Sequence, residues 1–211
     1  MGETVEIVGA DDFRLRRGHE MKQAKLVVAI GGTLRAGSST EAAMRRILYF
    51  AEQKGARTRI FSGATLEFPF YVPGNLARVA SAGYLVESLR AADSIIIGSP
   101  GYHGGISGLV KNALDYAEEM ANDSAPYLTG RAVGCVASGS GWQGCNSTLH
   151  ALRSVVHALR GWPTPLGIAF NSAPGTFDAA GNCTIPQLEQ QFEIMAGQLV
   201  RFGAESAVAQ H

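Results

Sequence analysis

The sequence has few cysteines, no excess of either charge and no long hydrophobic run. Its three cysteines, Cys135, Cys145 and Cys183, are too few and too widely spaced for a disulfide framework or a Cys-x-x-Cys site. The 18 basic and 18 acidic residues cancel, which argues against a surface for nucleic acid or anionic membranes. No apolar stretch approaches the length of a membrane span, and there is no secretory signal pattern. We therefore expect a cytoplasmic protein that binds neither nucleic acid nor membrane.

Short apolar segments alternate with segments of helical periodicity, which predicts a parallel sheet with crossover helices. The predicted strands are 25–31, 57–62, 93–99, 131–138 and about 165–170. The clearest helical stripe runs from Ile106 to Ala117, and a last helix is expected to begin at Thr184, where Thr-Ile-Pro-Gln resembles a capping box. The chain is thus predicted to comprise an N-terminal arm, 1–24, and a single α/β domain, 25–211.

The loop after the first predicted strand has the composition of an anion site. It reads Gly-Gly-Thr-Leu-Arg-Ala-Gly-Ser-Ser-Thr and leads directly into an amphipathic helix. Free backbone N–H groups and the positive end of the helix dipole favour an anion at such a position. The side chains that can donate to phosphate oxygens are those of Thr33, Arg35, Ser38, Ser39 and Thr40. The alternative is a polar turn in which Ser38 or Ser39 merely caps the helix.

The spacing of this loop excludes two familiar phosphate-binding motifs. Gly32 and Gly37 match the glycines of Gly-x-x-x-x-Gly-Lys-[Ser/Thr], but Ser38 stands at the lysine position. The loop therefore lacks the cation that grips a β/γ-phosphate pair. The Gly-x-Gly-x-x-Gly fingerprint of dinucleotide-binding folds cannot be aligned here either. What remains suits a single phosphate monoester, neutralised by one arginine and several hydroxyl groups.

Two further loops, after the third and fourth predicted strands, combine glycines with a flat aromatic ring. The first contains Pro100, Gly101, Tyr102, His103 and Gly104, and the second contains Ser138, Gly139, Gly141 and Trp142. Ligands of open parallel sheets bind beyond the carboxyl ends of the strands. Glycine lets backbone amides approach a ligand, and the two rings offer faces to a planar group. Together with the phosphate loop, these two loops indicate a mononucleotide site, for which FMN is the best candidate. The alternative is that their proline, glycine and aromatic residues only form turns and pack against the protein.

No catalytic residue and no metal site is assigned from the sequence. His150 and His157 lie seven residues apart on one predicted helix, but no third ligand has suitable spacing. His103 can donate a hydrogen bond near a flavin or simply bond to the backbone. For Cys145, which follows the fourth strand, a packed or partly exposed thiol is favoured over a redox-active one.

These motifs resemble the NADPH-dependent FMN reductase family of the flavodoxin-like fold, which includes chromate, azo and quinone reductases. The family pattern Gly-Ser-x-Arg-x-x-Ser-x-Asn corresponds to Gly32 through Thr40, with threonines at its first serine and its asparagine. A second pattern, Ser/Thr-Pro-x-Tyr-Asn/His followed by Gly and Lys-Asn-Ala-Leu-Asp, corresponds to Ser99 through Asp115. The resemblance spans about residues 25–170, and the second pattern is its most specific part.

The resemblance implies a flavodoxin-like three-layer sandwich with a five-stranded parallel sheet of order 2-1-3-4-5 and helices on both faces. It implies that the FMN phosphate is held by Thr33, Arg35, Ser38, Ser39 and Thr40. It implies that the isoalloxazine ring is bordered by Pro100, Gly101, Tyr102, His103 and Gly104, and at its other edge by Ser138, Gly139 and Gly141. It also implies that Lys111, Asn112 and Asp115, expected opposite the apolar stripe of their helix, are structural or near a subunit contact.

The activity implied by the resemblance is hydride transfer from NADPH (or NADH) to FMN and on to an acceptor. The acceptor would be a quinone, an azo compound, a metal oxyanion or free flavin, and the enzyme a homodimer or homotetramer. The alternative function is a flavodoxin-like electron carrier without its own nicotinamide oxidation. Such carriers are usually markedly acidic, whereas this chain has no net charge.

Overall fold

The structure is a computed structural model that describes residues 24–75 and 79–202. The arm predicted over 1–24 therefore lies almost wholly outside the described residues. The described strands are β1 (Leu26–Gly31), β2 (Arg57–Phe61), β3 (Ser94–Tyr102), β4 (Gly105–Ile106), β5 (Ala132–Gly139), β6 (Trp162–Pro163) and β7 (Ile168–Asn171). The described helices are α1 (Ser39–Gln53), α2 (Ala80–Ala91), α3 (Gly108–Asp115), α4 (Trp142–Ala158) and α5 (Pro186–Arg201), with 3-10 turns at Gly63–Leu66 and Tyr116–Met120.

The strands form a sheet in the order β2-β1-β3-β5, beyond which β6 and β7 both pair with β5. All of these pairs are parallel, which confirms the predicted architecture, and only the short β4 runs antiparallel, beside β3. The fifth predicted strand is divided in two. Trp162 pairs with the start of β5 and Ile168 with its second half. Pro163 is the last residue of β6, and Pro165 lies in the break before β7, since proline has no N–H to donate to a ladder.

Side chains alternate along the strands and supply two hydrophobic cores, one on each face of the sheet. On one face, Val28 and Ile30 of β1 belong to a cluster with apolar residues of α2, α3 and α4. On the other face, Val27 and Ala29 pack with α1 and α5. Helices therefore cover both faces, as predicted. No helix in the described ranges is long and apolar enough to cross a membrane.

Two local expectations about helices are wrong. The last helix begins at Pro186, not Thr184, and the Thr184 hydroxyl donates to the Gly175 carbonyl at 2.5 Å within the preceding loop. Proline suits the first helical turn, where its missing N–H would have no partner. In α3, Lys111 and Asp115 do face solvent as an ion pair. Asn112 does not, because it is buried and its amide binds the segment after β2.

The carboxyl end of β1 approaches the middle of β3 too closely for a side chain at Gly31. Gly31 has a φ of +148°, and a Cβ built on it would lie 1.8 Å from the Gly98 carbonyl oxygen. The next amide, Gly32 N, donates to that same oxygen at 3.1 Å. The loop that leaves β1 is thereby held against the middle of β3, and position 31 requires glycine.

Replacing Gly31 with alanine tests this contact. We expect Gly31→Ala to lower the free energy of unfolding by more than about 3 kcal/mol, since strained backbone and a backbone clash add. Gly37→Ala is the matched control, because Gly37 has a φ of +67° but open space around its Cβ position. The control should cost only about 1 kcal/mol of strain. Urea unfolding measures both, and equal losses would contradict the proposed clash.

Candidate cofactor site

The parallel register brings the three sequence-predicted loops to one edge of the sheet. Gly31 is opposite Gly98, and Gly98 is opposite Val136. Further along, Pro100 is paired with Ser138. The loops that follow β1, β3 and β5 therefore emerge side by side. The loop after β7 joins them, since Ser172 N donates to the Gly139 carbonyl at 2.8 Å.

The first loop presents hydrogen-bond donors at the N-terminus of α1. Ser38 is the N-cap, and its buried Oγ accepts from Glu41 N at 3.3 Å. No described residue accepts the Ser38 hydroxyl proton, so that proton can be donated to a ligand. The N–H groups of the first helical turn, which begins at Ser39, have no partners within the helix. Thr33 Oγ1 bonds locally to the backbone N–H and carbonyl of Arg35, each at 3.2 Å.

Arg35 differs from every other arginine in the described part of the chain. Its exposed guanidinium has no hydrogen bond, ion pair or ring contact there. The other described arginines all have partners, such as Glu189 and the Tyr49 ring for Arg46. An unpaired cation beside free helix N–H groups is the donor set that a phosphate monoester requires.

Thr40 lies deeper than the other hydroxyl residues of this loop. Its Oγ1 is 2.6 Å from Ser138 Oγ, and the two residues are only 1% and 3% exposed. One hydroxyl donates to the other beneath the loops. The structure therefore uses this pair to join the start of α1 to the end of β5, which fixes the first loop relative to the third.

The residues after β3 form a hairpin rather than the predicted open loop. β3 continues to Tyr102, which pairs with Gly105 of β4. The two turn residues, His103 and Gly104, have φ of +51° and +84°, as in the tight type I′ hairpin turn. Gly101 is also constrained, because a Cβ there would lie 2.9 Å from the Gly144 carbonyl of α4. The hairpin holds Tyr102 at the edge of the site with about half of its surface exposed.

The loop after β5 leads into α4 with glycine at the N-cap. Gly141 is that N-cap, and Trp142, the first helical residue, is 60% exposed. Behind the loop, the buried thiol of Cys145 donates to the Phe170 carbonyl at 3.1 Å. Burial raises the pKa of this thiol, which disfavours the thiolate that redox chemistry would need.

Two cavities meet at Arg35. One, of about 620 Å³, is lined by Gly32, Thr33, Leu34, Arg35, Tyr102, Ser107, Gly108 and Leu109. The other, of about 460 Å³, is lined by Arg35, Gly37, Ser39, Ala42, residues 172–179 and Gly181. The first has the size and the mainly apolar wall of a cofactor pocket. Unpaired phosphate donors beside an aromatic, apolar cavity fit FMN.

Several lining residues were missed by the sequence reasoning. Leu34 and Leu109 carry no chemical signal, and they line the first cavity only because of the fold. Ser107 is the N-cap of α3, where its Oγ accepts from Val110 N. The loop after β7 could have been found, since it too follows the carboxyl end of a strand.

Comparison with known proteins agrees with this geometry. The model of the family described as NADPH-dependent FMN reductase matches residues 26–175. A curated FMN-dependent NADPH-azoreductase of Staphylococcus aureus is 31% identical over 120 residues, 56% of this chain and 60% of that protein. The chain therefore matches only about 60% of the length of this relative.

Comparison with solved structures supports the same fold. FerB, a flavoenzyme NAD(P)H:(acceptor) oxidoreductase from Paracoccus denitrificans, has a TM-score of 0.70 at 18% identity, with 86% of this chain and 98% of FerB covered. A flavodoxin, WrbA-like protein from Agrobacterium tumefaciens has a TM-score of 0.56 at 20% identity, with 83% and 95% covered. At such identities these matches show the fold alone, which is flavodoxin-like as predicted.

The three cysteines provide a test of the packing around the site. Burial raises the pKa of Cys135 to about 12 and also raises that of Cys145, so neither thiol should react with a disulfide reagent near pH 8. Burial also raises the pKa of Cys183, but its thiol is only partly buried whereas the other two are buried, so a reagent can reach it and we expect it alone to react in the native protein. All three should react after denaturation. Loss of the native reaction in Cys183→Ser is the control, and rapid labelling of Cys145 would contradict its burial.

Proposed function

The chain belongs to the NADPH-dependent FMN reductase family, and from this we propose that it is an FMN-dependent NAD(P)H oxidoreductase acting on a small-molecule acceptor. The observation that carries the proposal is the unpaired guanidinium of Arg35 between the N-terminus of α1 and a cavity walled by Tyr102. With a quinone as acceptor, the net reaction is NADPH + H⁺ + quinone → NADP⁺ + hydroquinone.

The residues of this chain would bind and orient rather than perform acid–base chemistry. FMN, when bound, supplies hydride acceptance from the nicotinamide and two-electron return to the acceptor. Arg35, the Ser38 hydroxyl and the first-turn N–H groups of α1 would hold the phosphate. Tyr102 and the apolar residues Leu34 and Leu109 would confine the reactants to one cavity, and that orientation is the main contribution to rate. The proton comes from solvent, to which the site is open.

Electron transfer without nicotinamide oxidation is the competing function, and one assay separates the two. The FMN-loaded protein should consume NADPH when a quinone is present and no reductase partner is added. Tight flavin binding with no consumption would contradict the proposal and favour an electron carrier. A colourless protein that fails to quench the fluorescence of added FMN would instead indicate a flavin-free mononucleotide-binding module.

A homodimer or homotetramer and a cytoplasmic location are part of the same proposal. The first rests on the family resemblance and the second on the sequence. Light scattering of the purified protein measures the mass in solution. A monomer would contradict the proposed assembly.

Removing the Arg35 side chain should weaken FMN binding. Charge-assisted hydrogen bonds are worth about 1.5–3 kcal/mol each, so we expect the FMN Kd of Arg35→Ala to rise at least about tenfold. The rise should shrink with added salt, because the contact is near solvent. Arg57→Ala is the control, since Arg57 lies at the start of β2, at the opposite end of the sheet. Fluorescence titration measures both, and an unchanged Kd in Arg35→Ala would refute the phosphate role.

Tyr102→Ala should affect turnover more than FMN binding. The ring lines the cavity but carries no charge toward a phosphate. We expect kcat/KM for NADPH to fall about tenfold, with the FMN Kd changed less than about threefold, in line with loss of one aromatic contact. Tyr102→Phe keeps the ring and should behave as wild type. A larger loss in FMN affinity than in turnover would contradict this role.

A further inference from the structure

The hairpin that carries Tyr102 packs against helix α4 through a single residue of that helix. This hairpin comprises residues 101–106, and we call it the Tyr102 hairpin. On its first strand, a Cβ built on Gly101 would lie only 2.8 Å from Thr148 Oγ1. On its second strand, the Gly105 carbonyl accepts a hydrogen bond from the Thr148 hydroxyl at 3.1 Å. Thr148 therefore contacts both strands of the hairpin whose Tyr102 lines the larger cavity.

Thr148 uses its hydroxyl differently from the residue beside it in α4. Ser147 Oγ donates back to the carbonyls of Gln143 and Gly144, at 2.9 and 3.2 Å. This is the usual way in which a serine or threonine within a helix satisfies its hydroxyl. Thr148 is fully buried, at 0% exposed, and its hydroxyl donates out of the helix to Gly105. The Thr148 hydroxyl thus serves the contact between α4 and the hairpin.

The base of the hairpin is closed by a different hydroxyl. Ser99 Oγ accepts from Ser107 N at 2.9 Å and donates to the Pro100 carbonyl at 2.8 Å. These bonds fix where the chain enters and leaves the hairpin. A two-stranded hairpin has little stability of its own, so its direction beyond the base depends on what it packs against. Thr148 is the polar part of that packing.

The turn of the hairpin also needs support from outside. His103 has a φ of +51°, a left-handed conformation that is unfavourable for a residue with a side chain. Such a conformation persists only where the surrounding contacts outweigh its cost. The carbonyl that Thr148 binds belongs to Gly105, two residues after His103. The hydrogen bond therefore holds the chain where it leaves the strained turn.

We propose that Thr148 is a positioning residue for the candidate site, because its hydroxyl holds the hairpin so that Tyr102 lies against the cavity. Thr148 itself lines neither of the two cavities that meet at Arg35, so it acts through Tyr102. The kinetic consequence rests on the proposed oxidoreductase function. A misplacement of about 1 Å in an active site can lower the rate by up to about a hundredfold.

Steady-state kinetics tests the role of the hydroxyl. Thr148→Val replaces the hydroxyl with a methyl group, and we expect kcat/KM for NADPH to fall about threefold to tenfold, since the ring is displaced rather than removed. The FMN Kd should change less than about twofold, because the phosphate contacts lie on another loop. Thr148→Ser keeps the hydroxyl and should restore kcat/KM. Combined with Tyr102→Ala, Thr148→Val should add no further loss, because both changes act through one ring.

Two other hydroxyl residues provide matched controls. Ser147→Ala removes the neighbouring hydroxyl, which bonds only within α4 among the described residues. Ser94→Ala removes a buried hydroxyl that donates to the Leu199 carbonyl at 2.8 Å, at the other end of β3. Neither should alter kcat/KM, although Ser94→Ala and Thr148→Val should both lower the urea midpoint. An equal kinetic loss in Ser94→Ala, or no rescue by Thr148→Ser, would overturn the positioning role.

Fluorine NMR separates this inference from the proposed function, since it needs no turnover. The chain has six tyrosines, and in protein labelled with 3-fluorotyrosine the Tyr102 resonance is the one lost in Tyr102→Phe. Thr148→Val should shift this resonance toward its position in the unfolded protein. The resonance of Tyr84, which is half-exposed on α2, should not move.

The outcomes of the two measurements are distinct. If NADPH is never consumed but the Tyr102 resonance shifts, the proposed function fails and the positioning role stands. If NADPH is consumed and the resonance is unchanged in Thr148→Val, the positioning role is wrong. Thr148→Ala removes the same hydroxyl without placing a methyl group against Gly105. It should give the same shift, and it decides the question if the valine variant does not fold.

Discussion

The contact between the end of β1 and the middle of β3 determines how the first loop of the site lies against the second. No Cβ fits between Gly31 and the Gly98 carbonyl, and the Gly32 amide binds that carbonyl directly. This approach keeps the first loop against the strand that carries Tyr102. The Thr40–Ser138 hydroxyl pair does the same between α1 and β5. Three loops that are far apart in the sequence therefore form one rigid rim at the carboxyl edge of the sheet.

The hydrogen-bond donors that lack a protein partner are concentrated in the first of these loops. Elsewhere in the described chain the arginine side chains have partners, whereas the Arg35 guanidinium has none, and the Ser38 hydroxyl proton has no acceptor there. An exposed guanidinium without a protein partner and the free N–H groups of a helix N-terminus are hydrated in the free protein and together favour an anionic ligand. The family assignment and this local deficit of negative charge thus support the same cofactor.

The sequence was sufficient to predict the order and type of most strands and helices, but not the local breaks, caps and hydrogen bonds. Continuous apolar segments located β1, β3 and β5, because burial of a strand on both faces leaves such a signal. The division of the last strand was missed, since it depends on a local feature, Pro165 in the break between β6 and β7. The Thr184 capping box was overridden by a hydrogen bond to Gly175. The role of Asn112 could not be read from helical periodicity, because its partners belong to a segment some forty residues earlier. The loops were found by composition, whereas the unpaired state of Arg35 required the structure.

The central claim is that the first loop binds the phosphate of FMN, and the ratio of riboflavin to FMN dissociation constants measures it most directly. Riboflavin has the same ring system and lacks the phosphate, so the ratio isolates the contribution of the phosphate. We predict that wild type binds FMN at least about a hundredfold more tightly than riboflavin, as two charge-assisted hydrogen bonds allow. The ratio should fall by at least about tenfold in Arg35→Ala, with riboflavin affinity itself unchanged. An equal ratio in the two proteins would contradict the account.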